Sequence, residues 1–251
     1  FKAKQYTKAK HYLNRVADSK EYGAQATYYL GFIAYQGNDY QAANALFNKV
    51  KDTKRYNKEL SYYQADMNFK LGDFQKAIEM GKIYFNRASS KEKSELSKII
   101  GESYFNLEGY ADAIAYLKAY KGKKGRWTNT DYYQLGYAYF KQEDFASAID
   151  AFNSIIDGRD AVAQNAYYHL AASYLKLGKK LEALNAFKNA LEMDFSLEIQ
   201  EDSFLNYAKL SYEIGNSYAS VPLVLSDFIS KYPNNKNNDQ LREVLIDSYI
   251  T

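Results

Sequence analysis

A small residue recurs along this chain at nearly constant spacing. Gly31, Ala65, Gly101, Gly136, Ala171 and Ala208 stand 34, 36, 35, 35 and 37 residues apart, and Leu30, Ile100, Leu135 and Leu170 directly precede four of them. Self-similarity at a period of 20–50 residues marks a chain built from stacked units, each of which buries its apolar face only against its neighbours.

The rest of each unit keeps the same register. Nine residues after the small residue come Tyr40, Phe74, Tyr110 and Phe145. Three further on are Ala43, Ala77, Ala113, Ala148 and Ala183, with Ser220 last. Four beyond those lie Phe47, Leu117, Phe152, Phe187 and Val224, and Gly81 departs from the rule. Tyr6, Ala9 and Leu13 match the second half of the same unit. Within a unit the apolar positions run i, i+3, i+4, i+7, as in Tyr132, Leu135, Gly136 and Tyr139, then Phe145, Ala148, Ile149 and Phe152. That period is helical and strict alternation is absent. Between the two runs lie polar or glycine-bearing turns, "GNDY", "LGDF", "LEGY" and "QEDF". Asp39, Asp73 and Asp144 stand where a side chain can cap the second helix. The pattern predicts first helices over about 25–37, 59–71, 94–107, 129–142, 164–177 and 199–214, with a last one over 239–250. Second helices are expected over about 6–17, 40–51, 74–87, 110–121, 145–157, 181–193 and 221–232.

The glycines of the first helices need a reason, since Gly costs roughly 1 kcal/mol relative to Ala inside a helix. Gly31, Gly101 and Gly136 fall where the two antiparallel helices of one unit cross, and a larger side chain there would push the axes apart.

This arrangement resembles the tetratricopeptide repeat (TPR), a helix–turn–helix unit of 34 residues, over essentially the whole chain. The resemblance implies an all-α fold, a right-handed α-α superhelix of antiparallel helix pairs. It places a single array over 1–251, with units at about 24–57, 58–92, 94–127, 129–162, 164–198 and 201–236 between partial ends at 1–22 and 237–251. Both ends would then expose surface that a neighbouring repeat covers, so further repeats are expected on both sides in a parent chain.

Two stretches depart from the pattern. Only Pro222 and Pro233 represent the proline usual at the end of a unit. Pro222 suits the first turn of a helix, so the seventh unit is expected to begin its second helix late, after a lengthened turn "IGNSYASVP". The largest insertion, 120–131, carries Lys121, Lys123, Lys124, Arg126 and Trp127. It reads either as an anion or partner contact or as a solvated loop whose Trp packs on the next helix pair.

Several function classes have no support. Charge is nearly balanced, with 33 Lys+Arg against 30 Asp+Glu, and gives no reason to propose a nucleic-acid partner. There is no Cys, which removes disulfides, thiolate metal sites and Cys nucleophiles. No apolar window is long enough to span a membrane. The two histidines, His11 and His169, have no second ligand or base at a recognisable spacing. No phosphate loop, nucleophile elbow or H-E-x-x-H motif occurs. No enzyme activity, cofactor or metal is expected.

The resemblance implies a binding face on the first helices, pointing away from the crossing. In successive units that face carries Tyr28, Phe32 and Tyr35, then Tyr62 and Asp66, then Lys98 and Glu102, then Tyr133, Tyr137 and Lys141, then Tyr168 and Lys176. Tyrosine supplies contact area with a polar end, which suits a protein or peptide partner. The competing reading is that the rings pack between adjacent first helices. Asp66–Lys70 and Lys98–Glu102 are i,i+4 pairs able to neutralise one another. The basic clamp of chaperone-binding members is not reproduced, since Glu102 stands where an Asn is expected. The chain thus reads as a non-catalytic scaffold for a peptide or partner helix. Its Tyr-, Asn- and Lys-rich units look like the long TPR proteins of Gram-negative envelopes, which implies a periplasmic or envelope location. A cytoplasmic scaffold and a polysaccharide-binding module are the alternatives.

Overall fold

The computed structural model describes residues 5–155 and 158–249, the side chains of Asn57 and Lys58 apart. Among them are fourteen helices: α1 (Tyr6–Val16), α2 (Gly23–Gln36), α3 (Tyr40–Val50), α4 (Asn57–Lys70), α5 (Phe74–Phe85), α6 (Ser90–Asn106), α7 (Tyr110–Ala119), α8 (Asn129–Lys141), α9 (Phe145–Asn153), α10 (Ala161–Lys176), α11 (Lys180–Leu191), α12 (Leu197–Ile214), α13 (Val221–Lys231) and α14 (Asn238–Asp247). No strand occurs among the described residues; the isolated bridge Lys123–Arg126 closes a turn in the 120–131 insertion.

Helices α3, α5, α7, α9 and α13 begin where the anchor residues place them. Helices α6, α10 and α12 begin two to four residues before the expected starts. The first turn of each is fixed by a side-chain cap. Ser89 and Glu92 form a reciprocal capping box, Asp160 accepts from the Ala163 amide, and Ser196 from the Ile199 amide. Helix α9 stops at Asn153, short of the expected 157; positions 156 and 157 lie outside the described residues, as do 1–4 and 250–251.

Asp39, Asp73 and Asp144 cap the second helices as expected, accepting from the amides of Ala42, Lys76 and Ser147. The turn before each cap passes through the left-handed region at one fixed position, seven residues after the small residue. Gly72 and Gly178 occupy it, but so do Asn38, Glu108 and Glu143 at φ of 61°, 59° and 60°. Three units thus accept a conformation that L-residues adopt at some cost, because the turn is held from both sides by helix packing.

The crossings are as close as the small residues require. A methyl group on Gly31 would lie 2.6 Å from the Phe47 ring, and one on Gly136 2.7 Å from the Phe152 ring. On Gly101 it would meet the Leu117 backbone nitrogen at 2.9 Å. Gly81 now has a physical account. It sits at the position of Phe47 and Phe152, and the volume of the missing ring is taken by Ile100 of the following first helix, whose Cγ1 would lie 2.8 Å from a Gly81 methyl group. Ile100 is fully buried.

The chain divides into two compact units, one ending at Gly122 and the other beginning at Lys123, so the division falls inside the insertion. The first pairs α2 with α3, α4 with α5 and α6 with α7. It buries two clusters, one around Phe47, Tyr56, Leu60 and Met67, the other around Ala65, Ile78, Leu96 and Ile100. The second pairs α8 with α9, α10 with α11 and α12 with α13 over one cluster that includes Phe152, Leu184, Phe187 and Phe228.

In the second unit a buried amide places the start of α12. The Gln164 side chain is fully buried; it donates to the Met193 and Ser196 carbonyls at 2.8 and 3.2 Å and accepts from the Ser196 amide at 2.7 Å. It supplies the acceptor for the Ser196 amide and adds a donor to carbonyls that also accept from Gln200.

Candidate interaction clefts on the first helices

Tyrosines of one first helix donate to carboxylates of the next. Tyr28 donates to Glu59 at 3.0 Å, Tyr62 to Glu95 at 2.6 Å and Tyr168 to Asp202 at 2.7 Å. Each tyrosine lies three residues before the small residue of its unit, and each acid six residues before that of the next unit. A second rung joins Tyr35 to Asp66 at 2.6 Å. Burial, and after it the hydrogen bond to the acid, raises these four hydroxyls well above the ordinary phenol range. The tyrosines are therefore neutral donors, and they orient the carboxylates without cancelling their charge.

Beside two of these hydrogen bonds, Tyr62–Glu95 in the first compact unit and Tyr168–Asp202 in the second, a cleft opens at the same repeat position. In the first unit it has a volume of 540 Å³ between α4 and α6, with Tyr62, Tyr63 and Tyr84 as walls and Glu59, Glu92 and Glu95 on its rim. In the second it has a volume of 600 Å³ between α10 and α12. There Tyr168 and His169 meet Glu198, Glu201 and Asp202, and the turn Asn235–Lys236–Asn237 closes one end. Glu201 accepts from Asn235 at 2.8 Å, and Lys209 donates to Asn237 at 3.1 Å.

The residues expected on the binding face are distributed unevenly. Tyr28 is buried, with its ring stacked on Tyr56 at 4.5 Å. Phe32 meets Tyr63 edge-on. Asp66 is shared between the Tyr35 hydroxyl and Lys70, whose ammonium also lies 4.7 Å over the Tyr40 ring. Lys98 pairs with Glu102 at 3.7 Å and lies over the Tyr120 ring. Both i,i+4 pairs are thus formed. Tyr62 and Tyr168 border the two clefts. Lys176 lies exposed in the last turn of α10.

Tyr133 and Tyr137 do not stand alone on a face. With Phe140, Phe152 and Tyr168 they surround His169, at ring separations from 4.9 Å for Tyr137 to 6.3 Å for Phe152. Burial first, and the nearby Lys141 charge second, pulls the His169 imidazole down to about 4, so it is neutral at pH 7. Its Nδ1 is buried without a hydrogen-bond partner. Trp127 packs on Tyr132 of α8 at 5.2 Å, as the packing reading of the insertion has it.

The carboxylates of the clefts, Glu59, Glu92, Glu95, Glu198, Glu201 and Asp202, are absent from the expected face. The signal was in the sequence: a tyrosine three before the small residue is followed 31 to 34 residues later by an acid. It connects two different units, so reading each helix by itself passes over it.

Helix pairs of about 35 residues, crossing at a small residue and, within each compact unit, stacked against the first helix of the next pair, define a repeat array. The profile of the tetratricopeptide repeat family matches residues 1–58, and that of anaphase-promoting complex, cyclosome, subunit 3 matches residues 118–190. Solved structures agree in fold. MamA (AMB-1) superposes with a TM-score of 0.60 at 20% identity, over 72% of this chain and 97% of its own. The C-terminal part of a TPR repeat-containing protein from Cytophaga hutchinsonii superposes with a TM-score of 0.58 at 17% identity, over 96% of both chains. No curated protein matches the chain. The two family matches cover parts of the chain, and its fold is that of tetratricopeptide repeat proteins, a fold that suggests a protein–protein interaction scaffold.

Proposed function

We propose that the chain is a non-catalytic scaffold that binds a peptide or partner helix along the first-helix faces of its repeats. The observation that carries this reading is the pair of clefts at equivalent repeat positions, one lined by Tyr62, Tyr63 and Tyr84 and the other by Tyr168 and His169, each with three carboxylates. Such a surface offers rigid aromatic contact area next to fixed polar groups, the combination that concentrates binding energy in few residues. The Tyr133–Tyr137 region contributes mainly by holding α8 and α10 together through His169, and Tyr62 and Tyr168 carry the contact.

Site-specific photo-cross-linking tests this. A cross-linking residue at Lys91 or Glu198, on the cleft rims, captures the partner in native cell fractions; one at Glu79 or Asp150, exposed on second helices, does not. Capture only from the second-helix positions would overturn the assignment. The Tyr-, Asn- and Lys-rich composition further supports an envelope location for the protein, which cell fractionation with an antibody to the chain checks directly; recovery in the cytosolic fraction alone would reject it.

A further inference from the structure

The charge of the two clefts narrows the partner. Each carries three carboxylates and one lysine: Glu59, Glu92 and Glu95 with Lys91 in the first unit, and Glu198, Glu201 and Asp202 with Lys236 in the second. Each therefore holds a net charge of minus two, in a chain whose overall charge is +3. The acidity is local, and it recurs at the same repeat position in two units that fold around separate cores.

The hydrogen bonding preserves that charge. Glu95 and Asp202 are held by tyrosine hydroxyls that stay protonated, so these bonds orient them without adding positive charge; Lys91, whose ammonium lies 3.9 Å from Glu95, is the lysine already counted in the first cleft. His169, neutral at pH 7, adds no positive charge to the second cleft. The lining includes the aromatic side chains of Tyr62, Tyr63 and Tyr84 in one cleft and of Tyr168 and His169 in the other. A cation entering such a cleft meets carboxylates in a partly desolvated setting and aromatic faces that attract it further. Arginine suits it best, since its planar group stacks on rings while pairing with a carboxylate through two N–H groups. An acidic peptide meets like charge on the rim.

Building on the scaffold reading above, we infer that the two clefts are receptor sites for cationic side chains, and that the partner presents an extended segment bearing arginine or lysine. In either cleft taken by itself, a basic side chain lays its aliphatic stem along the aromatic lining and places its charge among the three carboxylates.

The test uses the full chain and three labelled synthetic peptides, (Arg-Ser)4, (Gln-Ser)4 and (Glu-Ser)4, in fluorescence anisotropy at low and high salt. The cleft carboxylates are replaced by their neutral isosteres, Glu59→Gln, Glu92→Gln and Glu95→Gln in one unit and Glu198→Gln, Glu201→Gln and Asp202→Asn in the other. These keep an acceptor for the tyrosine hydroxyls and for the Ser89 cap. The control replaces three exposed carboxylates elsewhere, Glu79→Gln, Glu143→Gln and Glu182→Gln. The expected result is that (Arg-Ser)4 binds, that raising salt weakens it, and that the sixfold cleft variant loses at least tenfold in affinity while the control binds like the parent. If the sixfold variant does not fold, Glu198→Gln alone, at an exposed rim position, is expected to lower affinity two- to threefold. Equal loss in the control, unchanged affinity in the folded cleft variant, or no binding of (Arg-Ser)4 would overturn the inference. Equal binding of (Gln-Ser)4 and (Arg-Ser)4 would overturn the cationic assignment while leaving the groove reading intact, whereas the cross-linking pattern decides that reading by itself.

Discussion

The Tyr168 hydroxyl donates to Asp202 Oδ2 at 2.7 Å, from one first helix to the next, 34 residues along the chain. The bond fixes the spacing of α10 and α12 on the side where the larger cleft opens. A hydrogen bond to a charged acceptor contributes about 1.5–3 kcal/mol when shielded, less when partly exposed as here. Tyr168→Phe keeps the ring and removes the donor, and is expected to cost about 1 kcal/mol in urea unfolding. A double-mutant cycle with Asp202→Asn is expected to return a coupling energy of similar size. A coupling indistinguishable from zero would mean that the bond does not hold the two helices.

The helix crossings give opposite expectations for two glycines. Gly136→Leu forces a branched side chain against the Phe152 ring and is expected to cost about 2–3 kcal/mol by overpacking. Gly81→Phe restores the residue type seen at equivalent positions, yet it is also expected to destabilise, because Ile100 already fills that space. Pairing Gly81→Phe with Ile100→Ala is expected to recover part of the loss. Unfolding midpoints of the single and paired variants check this, and stabilisation by Gly81→Phe alone would show that the volume is not shared.

Gln164 is polar in a fully buried place, and its value lies in the backbone groups it satisfies. Gln164→Leu leaves the buried Ser196 amide without its acceptor and takes one donor from the Met193 and Ser196 carbonyls, and is expected to cost about 2–3 kcal/mol. The loss centres on the α11–α12 turn, so amide exchange at residues 193–199 is expected to accelerate more than exchange in α8. A uniform acceleration would indicate a global effect instead.

His169 sets an acid limit on the second unit. Its folded-state pKa of about 4 lies below the ordinary value of 6.5, so the unfolded chain takes up the proton first. Stability from this group is therefore present above pH 6.5 and falls as the pH drops toward 4. By pH 4.5 the loss amounts to about 2 kcal/mol. His169→Phe, which suits the surrounding rings and removes the unpartnered Nδ1, is expected to flatten that slope in unfolding curves at pH 7 and pH 4.5. An unchanged slope would mean that the imidazole is already solvated.

What the sequence by itself determined is local and periodic. The spacing of the small residues, the 3.6-residue apolar rhythm and the turn chemistry specify helix pairs, because these signals act over one or two turns of backbone. They place Gly31, Gly101 and Gly136 at the crossings and Asp39, Asp73 and Asp144 at the caps. They do not say which first-helix side chains meet across neighbouring units. Tyr62 and Tyr133 share one register position, yet Tyr62 reaches Glu95 beside an open cleft and Tyr133 packs toward His169. The difference comes from residues of the next unit, Glu95 in one case and His169 in the other. The same holds for Gly81, whose missing ring is supplied by Ile100 from the following helix. Tertiary structure decided these pairings because side-chain contacts between repeats depend on two sequences at once, and the helical period of either one is silent about the other.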